Sequence, residues 1–283
     1  MNPSPVSKYI RCAGREIHYM EWGAQYPRTV IAWHGLARTS RDMDELAAHL
    51  SSPKMACRVI CPDTIGRGLS QWSPDPKSEY CLAFYTQLAT ALVDQLGLEG
   101  FDWVGTSMGG AIGLVAAAGP LRARIRRLVL NDMGPQITAA SLDRIRSYAG
   151  NPSAFDTVSE LEQYFRAIYK PYGFLTDAQW RRLTETSTRR LPDGRVTPHY
   201  DPAMVQQFVN YPADHERWSE YDSLRIPVLC LRGIDSDLLA ADTAQQMALR
   251  GPCARVVTIE GCGHAPALNV PEQLALVGDF LGC

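Results

Sequence analysis

Apolar residues recur along this chain with two alternating periods, and the alternation lays out a fold. Short, nearly continuous apolar runs read as strands covered on both faces: Thr29-Val30-Ile31-Ala32-Trp33, Cys57-Arg58-Val59-Ile60-Cys61, Phe101-Asp102-Trp103-Val104, residues 125–130 and Ile226-Pro227-Val228-Leu229-Cys230-Leu231. Arg255-Val256-Val257-Thr258-Ile259-Glu260 is a further strand. Between them the period lengthens. Leu82, Tyr85, Leu88, Leu92 and Leu96 mark a helix over 80–96, Thr39 or Ser40 can cap one over 42–50, and others fall at 111–119, 242–250 and 272–281. At the start, Val6–Cys12 and Arg15–Trp22 flank Ala13-Gly14, and their polar–apolar alternation predicts a hairpin. Strands alternating with helices imply a mostly parallel α/β sheet wrapped on both faces.

The rhythm breaks once. Over 135–222 the strand signal vanishes, Pro and Gly interrupt helical patterns, and aromatics gather, among them Phe155, Tyr164, Phe165, Tyr169, Tyr172, Trp180, Phe208 and Trp218. This stretch reads as a helical insertion, leaving 1–134 and 223–283 as the α/β core.

Composition narrows the class. With 283 residues, 46% of them apolar, a sizeable core is available, and the formal net charge of −2 is well mixed. Neither a basic stripe nor a run of like charge favours nucleic acid or a membrane surface, so the expected partner is a small molecule. The stretch Met1-Asn2-Pro3-Ser4-Pro5-Val6-Ser7-Lys8 lacks a secretory pattern, and the eight cysteines (Cys12, Cys57, Cys61, Cys81, Cys230, Cys253, Cys262, Cys283) show no C-x-x-C pair or zinc spacing. They are expected as small core fillers in a soluble cytoplasmic protein.

The candidate chemistry sits where the strand 101–104 ends. Gly105-Thr106-Ser107-Met108-Gly109 is a G-x-S-x-G turn between a strand and a small-residue helix. A nucleophile on so sharp a corner leaves no room for Cβ atoms two residues either side, and the helix start aims free N–H groups where an oxyanion would form. In a parallel sheet the loops at the carboxyl ends share one edge, which brings His34-Gly35-Leu36, Asp63 to Gly68, Ser107, Asp132, Asp235 to Asp237 and His264 to one rim. A serine needs a base to take its proton, and an imidazole needs a carboxylate to fix its tautomer. His18 lies on an alternating strand and reads as a surface or packing residue, while His49, His199 and His215 are expected at the surface.

These features together resemble the α/β-hydrolases. The match rests on His34-Gly35, Asp63-Thr64-Ile65-Gly66-Arg67-Gly68-Leu69-Ser70, the elbow around Ser107, and Gly261-Cys262-Gly263-His264, in the family's order and over nearly the whole chain. The resemblance implies an eight-stranded sheet with a helical cap inserted after strand six. It implies Ser107 as nucleophile, His264 as base, and the backbone N–H groups of Leu36 and Met108 as the oxyanion hole, each such donor contributing about 3 kcal/mol to the transition state. It puts the acid after the seventh strand, where Asp237 is preferred because Ser236-Asp237-Leu238-Leu239 resembles the acid-bearing stretch. Asp235 is second, and Asp132, an acid position in a minority of such enzymes, is third. His34 is expected to brace the oxyanion loop and Asp63 to fix a turn.

A serine at position 107 disfavours the dehalogenase and epoxide hydrolase chemistries of this fold, which use aspartate. It suits ester hydrolysis through an acyl-enzyme, with no metal or organic cofactor. The expected substrate is a small to medium, partly apolar ester. Lactones, the carbon–carbon bonds of ring-fission products, and a slow-turnover ligand sensor are the alternatives.

Overall fold

The computed structural model describes residues 4–282; residues 1–3 and Cys283 lie outside it. The main sheet runs β1 (Val6–Cys12), β2 (Arg15–Trp22), β3 (Arg28–Trp33), β4 (Cys57–Pro62), β5 (Phe101–Thr106) and β6 (Ile125–Asn131). It continues, after the small strands β7 (Thr188–Arg190) and β8 (Val196–Pro198), with β9 (Val228–Gly233) and β10 (Arg255–Ile259). Its spatial order is β1-β2-β4-β3-β5-β6-β9-β10. Only the pairings of β2, with β1 and with β4, are antiparallel. The sheet is thus mostly parallel, as the alternation of strands and helices implies, and eight-stranded, as the resemblance to the α/β-hydrolases implies.

Helices α1 (Asp44–Leu50), α2 (Pro76–Glu79), α3 (Leu82–Gln95) and α4 (Met108–Ala118) precede the insertion, and α10 (Ala241–Leu249) and α11 (Pro271–Leu281) follow it. They bury two apolar clusters, one on each face of the sheet. One gathers Trp33, Tyr85, Trp103, Ile112 and Leu130; the other gathers Val30, Leu46, Val104, Leu229 and Val277. Each large side chain so buried is worth roughly 1.5–3 kcal/mol in transfer alone. Six of the described cysteines are buried and Cys253 is exposed. Among the described residues no helix is long and apolar enough to cross a membrane.

Between β6 and β9 the chain leaves the sheet. It forms α5 (Ala139–Ala149), α6 (Val158–Ile168), α7 (Asp177–Thr186), α8 (Gln207–Asn210) and α9 (Trp218–Ser223). The expectation of a strand-free segment needs correcting, because β7 and β8 pair as an antiparallel hairpin inside it. Three residues per strand is too short for a visible period. Threonines cap α5, α6 and α7, with full capping boxes at Thr157/Glu160 and Thr176/Gln179. Leu161, Phe165, Tyr169, Trp180, Leu183 and Val196 pack into a small core of the segment's own, so much of its aromatic content joins short helices to one another.

Two tryptophans tie the centre of the sheet to the corner after β5. Trp33 and Trp103 stack with ring centroids 5.2 Å apart, Trp33 Nε1 donates to Thr64 Oγ1 at 2.8 Å, and Trp103 Nε1 donates to the Gly109 carbonyl at 3.0 Å. The corner itself is close-packed backbone. A Cβ on Gly109 would sit 2.3 Å from the Trp33 carbonyl oxygen, and one on Gly105 would sit 2.3 Å from the Gly109 carbonyl. Main-chain atoms at the middle of a sheet cannot retreat, so Gly109→Ala is expected to cost about 2–3 kcal/mol. A fall in the urea midpoint with unchanged slope would register it; an unchanged midpoint would contradict the packing.

Candidate active site

Ser107 stands between β5 and α4 with φ 52° and ψ −117°, a conformation rare for a residue with a side chain. It is held there because its N–H donates to the Asn131 carbonyl at 3.0 Å while its own carbonyl accepts from Gly110 and Ala111. The half-buried hydroxyl meets His264: Ser107 Oγ and His264 Nε2 are 3.0 Å apart. The loop carrying His264 is fastened to the elbow by Asn131, whose amide donates to Thr106 Oγ1 at 3.0 Å and to the Pro266 carbonyl at 2.8 Å.

Behind the imidazole stands Asp132. Its Oδ2 lies 2.6 Å from His264 Nδ1 and accepts from Ser236 Oγ at 2.6 Å, while Oδ1 accepts from the Gly233 N–H at 2.9 Å. The carboxylate is wholly buried. The preference for Asp237, with Asp235 second, is corrected by this geometry. In the loop after β9 it is Ser236 that turns inward, and both flanking aspartates are exposed. Asp237 pairs with Arg144, Arg144 Nε lying 2.5 Å from Asp237 Oδ2. The two loop carboxylates thus flank the residue that reaches the histidine's partner without reaching it themselves.

The loop after β3 closes the other side of Ser107. A Cβ on Gly35 would lie 3.7 Å from that of Ser107, and Leu36 and Met108 line a cavity with the serine. Three buried polar groups hold this loop. His34 Nδ1 donates to the Gly35 carbonyl at 2.6 Å and its Nε2 accepts from the Thr64 N–H at 2.9 Å, which fixes one neutral tautomer. Complete burial, only partly offset by the Asp63 charge, pulls the His34 pKa down to about 4. Arg67 Nε donates to the Leu36 carbonyl at 2.9 Å and its Nη1 to the Ile65 carbonyl at 2.7 Å and the Tyr85 hydroxyl at 3.0 Å. Asp63 accepts from Ser40 N at 2.6 Å, from Leu69 N at 2.9 Å, and stands 2.7 Å from His18 Nδ1. Burial works against the Asp63 charge, yet these hydrogen bonds and the neighbouring histidines hold its pKa below the usual carboxylate range.

His18 is buried, and its Nε2 lies 2.9 Å from Ser7 Oγ, so Ser7, His18 and Asp63 repeat the residue types of the site around Ser107. Here the carboxylate also gathers two backbone amides, and the group serves to pin the loop over 63–70. None of His49, His199 and His215 is exposed, contrary to the surface positions expected of them. His215 lines a mostly apolar cavity together with Ser107. Arg38 and Arg67 gave no sequence signal of burial, and both are buried, Arg38 lining a space with Ser107 and Arg67 Nη2 lying 3.7 Å from Met108 Sδ.

Two spaces open on Ser107. The larger, about 410 Å³, is bounded by Ser107, His264, Arg38, Tyr169 and Tyr172; the smaller, about 60 Å³, by Met108, Leu82, Met133, Ile137 and Phe208 as well as Ser107. Tyr169 and Tyr172 come from the inserted segment, which is joined to the histidine loop by Gly263 N donating to the Pro171 carbonyl at 2.7 Å. A hydroxyl against an imidazole, a buried carboxylate behind it and a nearby helix start make an arrangement able to transfer acyl groups.

Residues 30–275 match the profile of the Alpha/beta hydrolase family, and the chain belongs to that family. It is 35% identical over 294 residues to a 3-hydroxybutyrate-oligomer hydrolase of Cupriavidus necator, with 99% of each chain covered. It is 26% identical to a 2-hydroxymuconate semialdehyde hydrolase of a Pseudomonas species, covering 99% of this chain and 95% of that one. Among solved structures, an alpha/beta hydrolase from Novosphingobium aromaticivorans superposes with a TM-score of 0.86 at 32% identity, with 99% of each chain covered. Hydrolase is the activity these relatives share.

Two outcomes follow from the geometry. Asp132→Asn is expected to lower kcat about 10⁴-fold by allowing the wrong imidazole tautomer, whereas Asp235→Asn and Asp237→Asn stay within about fivefold of wild type, as exposed carboxylates do. Steady-state rates on any turned-over ester separate the three. The second concerns pH. Unfolded His34 takes its proton near 6.5 and folded His34 near 4, so the unfolded chain binds more protons between those values and stability falls as pH drops through them. The loss attributable to His34 approaches about 3 kcal/mol by pH 4. Denaturant titrations from pH 7 to 4 should show a shallower decline for His34→Gln than for wild type, and parallel declines would contradict the assignment.

Proposed function

We propose that this protein is a serine hydrolase cleaving carboxylic esters through an acyl-enzyme, and that short oligoesters of a hydroxyalkanoic acid are its substrates. The observation that carries the reading is the contact chain Ser107 Oγ, His264 Nε2, His264 Nδ1, Asp132 Oδ2, closed at 3.0 and 2.6 Å. The relative named for oligomers of 3-hydroxybutyrate, matched end to end, supports the substrate class.

In this mechanism Ser107 Oγ attacks the ester carbonyl as its proton passes to His264 Nε2. Asp132 holds the Nδ1–H and stabilises the imidazolium. The backbone N–H groups of Leu36 and Met108 receive the oxyanion, the C–O bond to the alcohol breaks, and the alcohol oxygen leaves with the proton from Nε2. Water then attacks the acyl carbon, giving one proton to His264 Nε2; the bond from that carbon to Ser107 Oγ breaks, the acid leaves, and the proton on Nε2 passes to Oγ, regenerating the serine.

Relatives named for ring-fission products, at 26% and 25% identity over nearly the whole chain, support cleavage of a carbon–carbon bond as the second reading. A panel of linear 3-hydroxybutyrate oligomers, short- and long-chain p-nitrophenyl esters, a lactone and a ring-fission substrate discriminates the readings. Sustained hydrolysis of oligomers and short esters, lost in Ser107→Ala, is the expected result. Turnover of the ring-fission substrate alone, or a single burst with no further turnover, would contradict the ester reading.

A further inference from the structure

The two spaces at Ser107 differ in size, in charge and in the catalytic group they meet. His264, which gives its proton to the leaving oxygen in the ester mechanism, borders the larger space of about 410 Å³ and not the smaller one of about 60 Å³. The leaving alcohol therefore lies in the larger space. The acyl group turns the other way, past Leu36 and Met108, whose backbone N–H groups receive the oxyanion in that mechanism and which both border the smaller space.

The smaller space is walled mainly by buried side chains, among them Leu82, Tyr85, Met108, Met133, Phe208 and Leu238. The inserted segment is fastened to α3 at its edge, where Asp214 Oδ2 accepts from the Leu82 N–H at 2.8 Å. An apolar cavity of about 150 Å³ takes the six carbons of a benzene ring, and this one is less than half that size. One short acyl unit fits, and a second ester unit does not. Charge selects in the same sense. Among the described residues lining this space none is Lys or Arg, its carboxylate is Asp214, and burial lowers the pKa of His215. Arg217 pairs with Asp214 and Glu220 and is not part of the wall. A free-acid end would be buried here without a cation, which is costly, whereas a hydroxyl end carries no charge to compensate. The larger space is different. It reaches a rim where Arg144, Asp235 and Asp237 are exposed, so a chain longer than the space continues into solvent.

We propose that the enzyme shortens oligoesters from the hydroxyl end, one unit per cycle, with the terminal hydroxyacyl unit in the smaller space and the rest of the chain in the larger one as the leaving alcohol. Ser107 Oγ bonds to the carbonyl carbon of the first unit, the C–O bond to the second unit breaks, and the departing oxygen takes the proton from His264 Nε2. That oxygen is the new hydroxyl end of the shortened oligomer. Each cycle thus leaves the kind of end that the next one uses, and water frees the single unit from Ser107 as a hydroxy acid. The inference rests on the ester reading for its chemistry and on the unequal spaces for its direction.

The experiment hydrolyses a linear 3-hydroxybutyrate trimer with a heavy-isotope label in its hydroxyl-terminal unit alone, and resolves the products of the first turnovers by mass spectrometry. The label is expected in free 3-hydroxybutyrate, with the dimer unlabelled. Labelled dimer, or label divided between monomer and dimer, overturns the proposal. A second measurement reads the smaller space itself. p-Nitrophenyl butyrate and octanoate differ only in acyl length, and wild-type kcat/KM is expected to fall at least about tenfold from the first to the second. Phe208→Ala, which enlarges the space, is expected to narrow that ratio, and Ile137→Ala replaces it should Phe208→Ala fail to fold. An undiminished rate on the octanoate in wild type, or a ratio that enlargement leaves unchanged, overturns the size limit and the proposal with it. Ester turnover with the label in the dimer, or with the trimer untouched, removes this inference and leaves ester chemistry standing; no turnover of any ester removes both.

Discussion

The carboxylate of Asp132 is the point on which the site depends. Fully buried, it receives a backbone N–H from the end of β9, a hydroxyl from the following loop and the imidazole from the loop after β10. A lone carboxylate at that depth would protonate or draw in water. Three donors converging on its two oxygens, the imidazole at 2.6 Å, make the charge tolerable and lock three chain segments together. The imidazole orientation is thus a consequence of satisfying a buried charge. Its far nitrogen then reaches Ser107 at 3.0 Å with no further adjustment.

Around that point the molecule uses close backbone packing on one side and buried polar braces on the other. At the elbow, glycines let α4 start against the carbonyl ends of β3 and β5, and the stacked tryptophans prevent the strands from spreading. Across the cleft, the loop after β3 has neither strand nor helix to shape it. His34, Arg67 and Asp63 hold its carbonyls and amides instead, each charge or ring paid for by several hydrogen bonds in a dry interior. Rigid strands set where the reacting groups stand, and fixed loops set where developing charge would be received.

Much of this was legible in the chain. The apolar runs located the inner strands β3, β4, β5, β6 and β9 to within a residue or two, because strands covered on both faces need continuous apolar character, and alternation located β1 and β2. The elbow was legible because its glycines answer to sterics within five residues, and the carboxyl-edge rule brought His264 to the same rim. The acid was not. Choosing between Asp132, Asp235 and Asp237 depends on which side chain of one loop turns toward the sheet, and Ser236 does so while its neighbours face outward. No local pattern encodes that choice. The β7–β8 hairpin escaped for a different reason, three residues being less than two periods of alternation. Arg38 and Arg67 carry the commonest surface composition and are buried only because tertiary partners surround them, Asp42 in one case and loop carbonyls in the other.

The central claim, that Asp132 and no other carboxylate orients His264, is tested most directly by proton NMR of the Nδ1–H in the strongly deshielded region. A short hydrogen bond to a buried carboxylate shields this proton from exchange and moves it far downfield. The account predicts one such resonance in the wild-type protein, present in Asp237→Asn and absent in Asp132→Asn. Its survival in Asp132→Asn, or its loss in Asp237→Asn, would contradict the account.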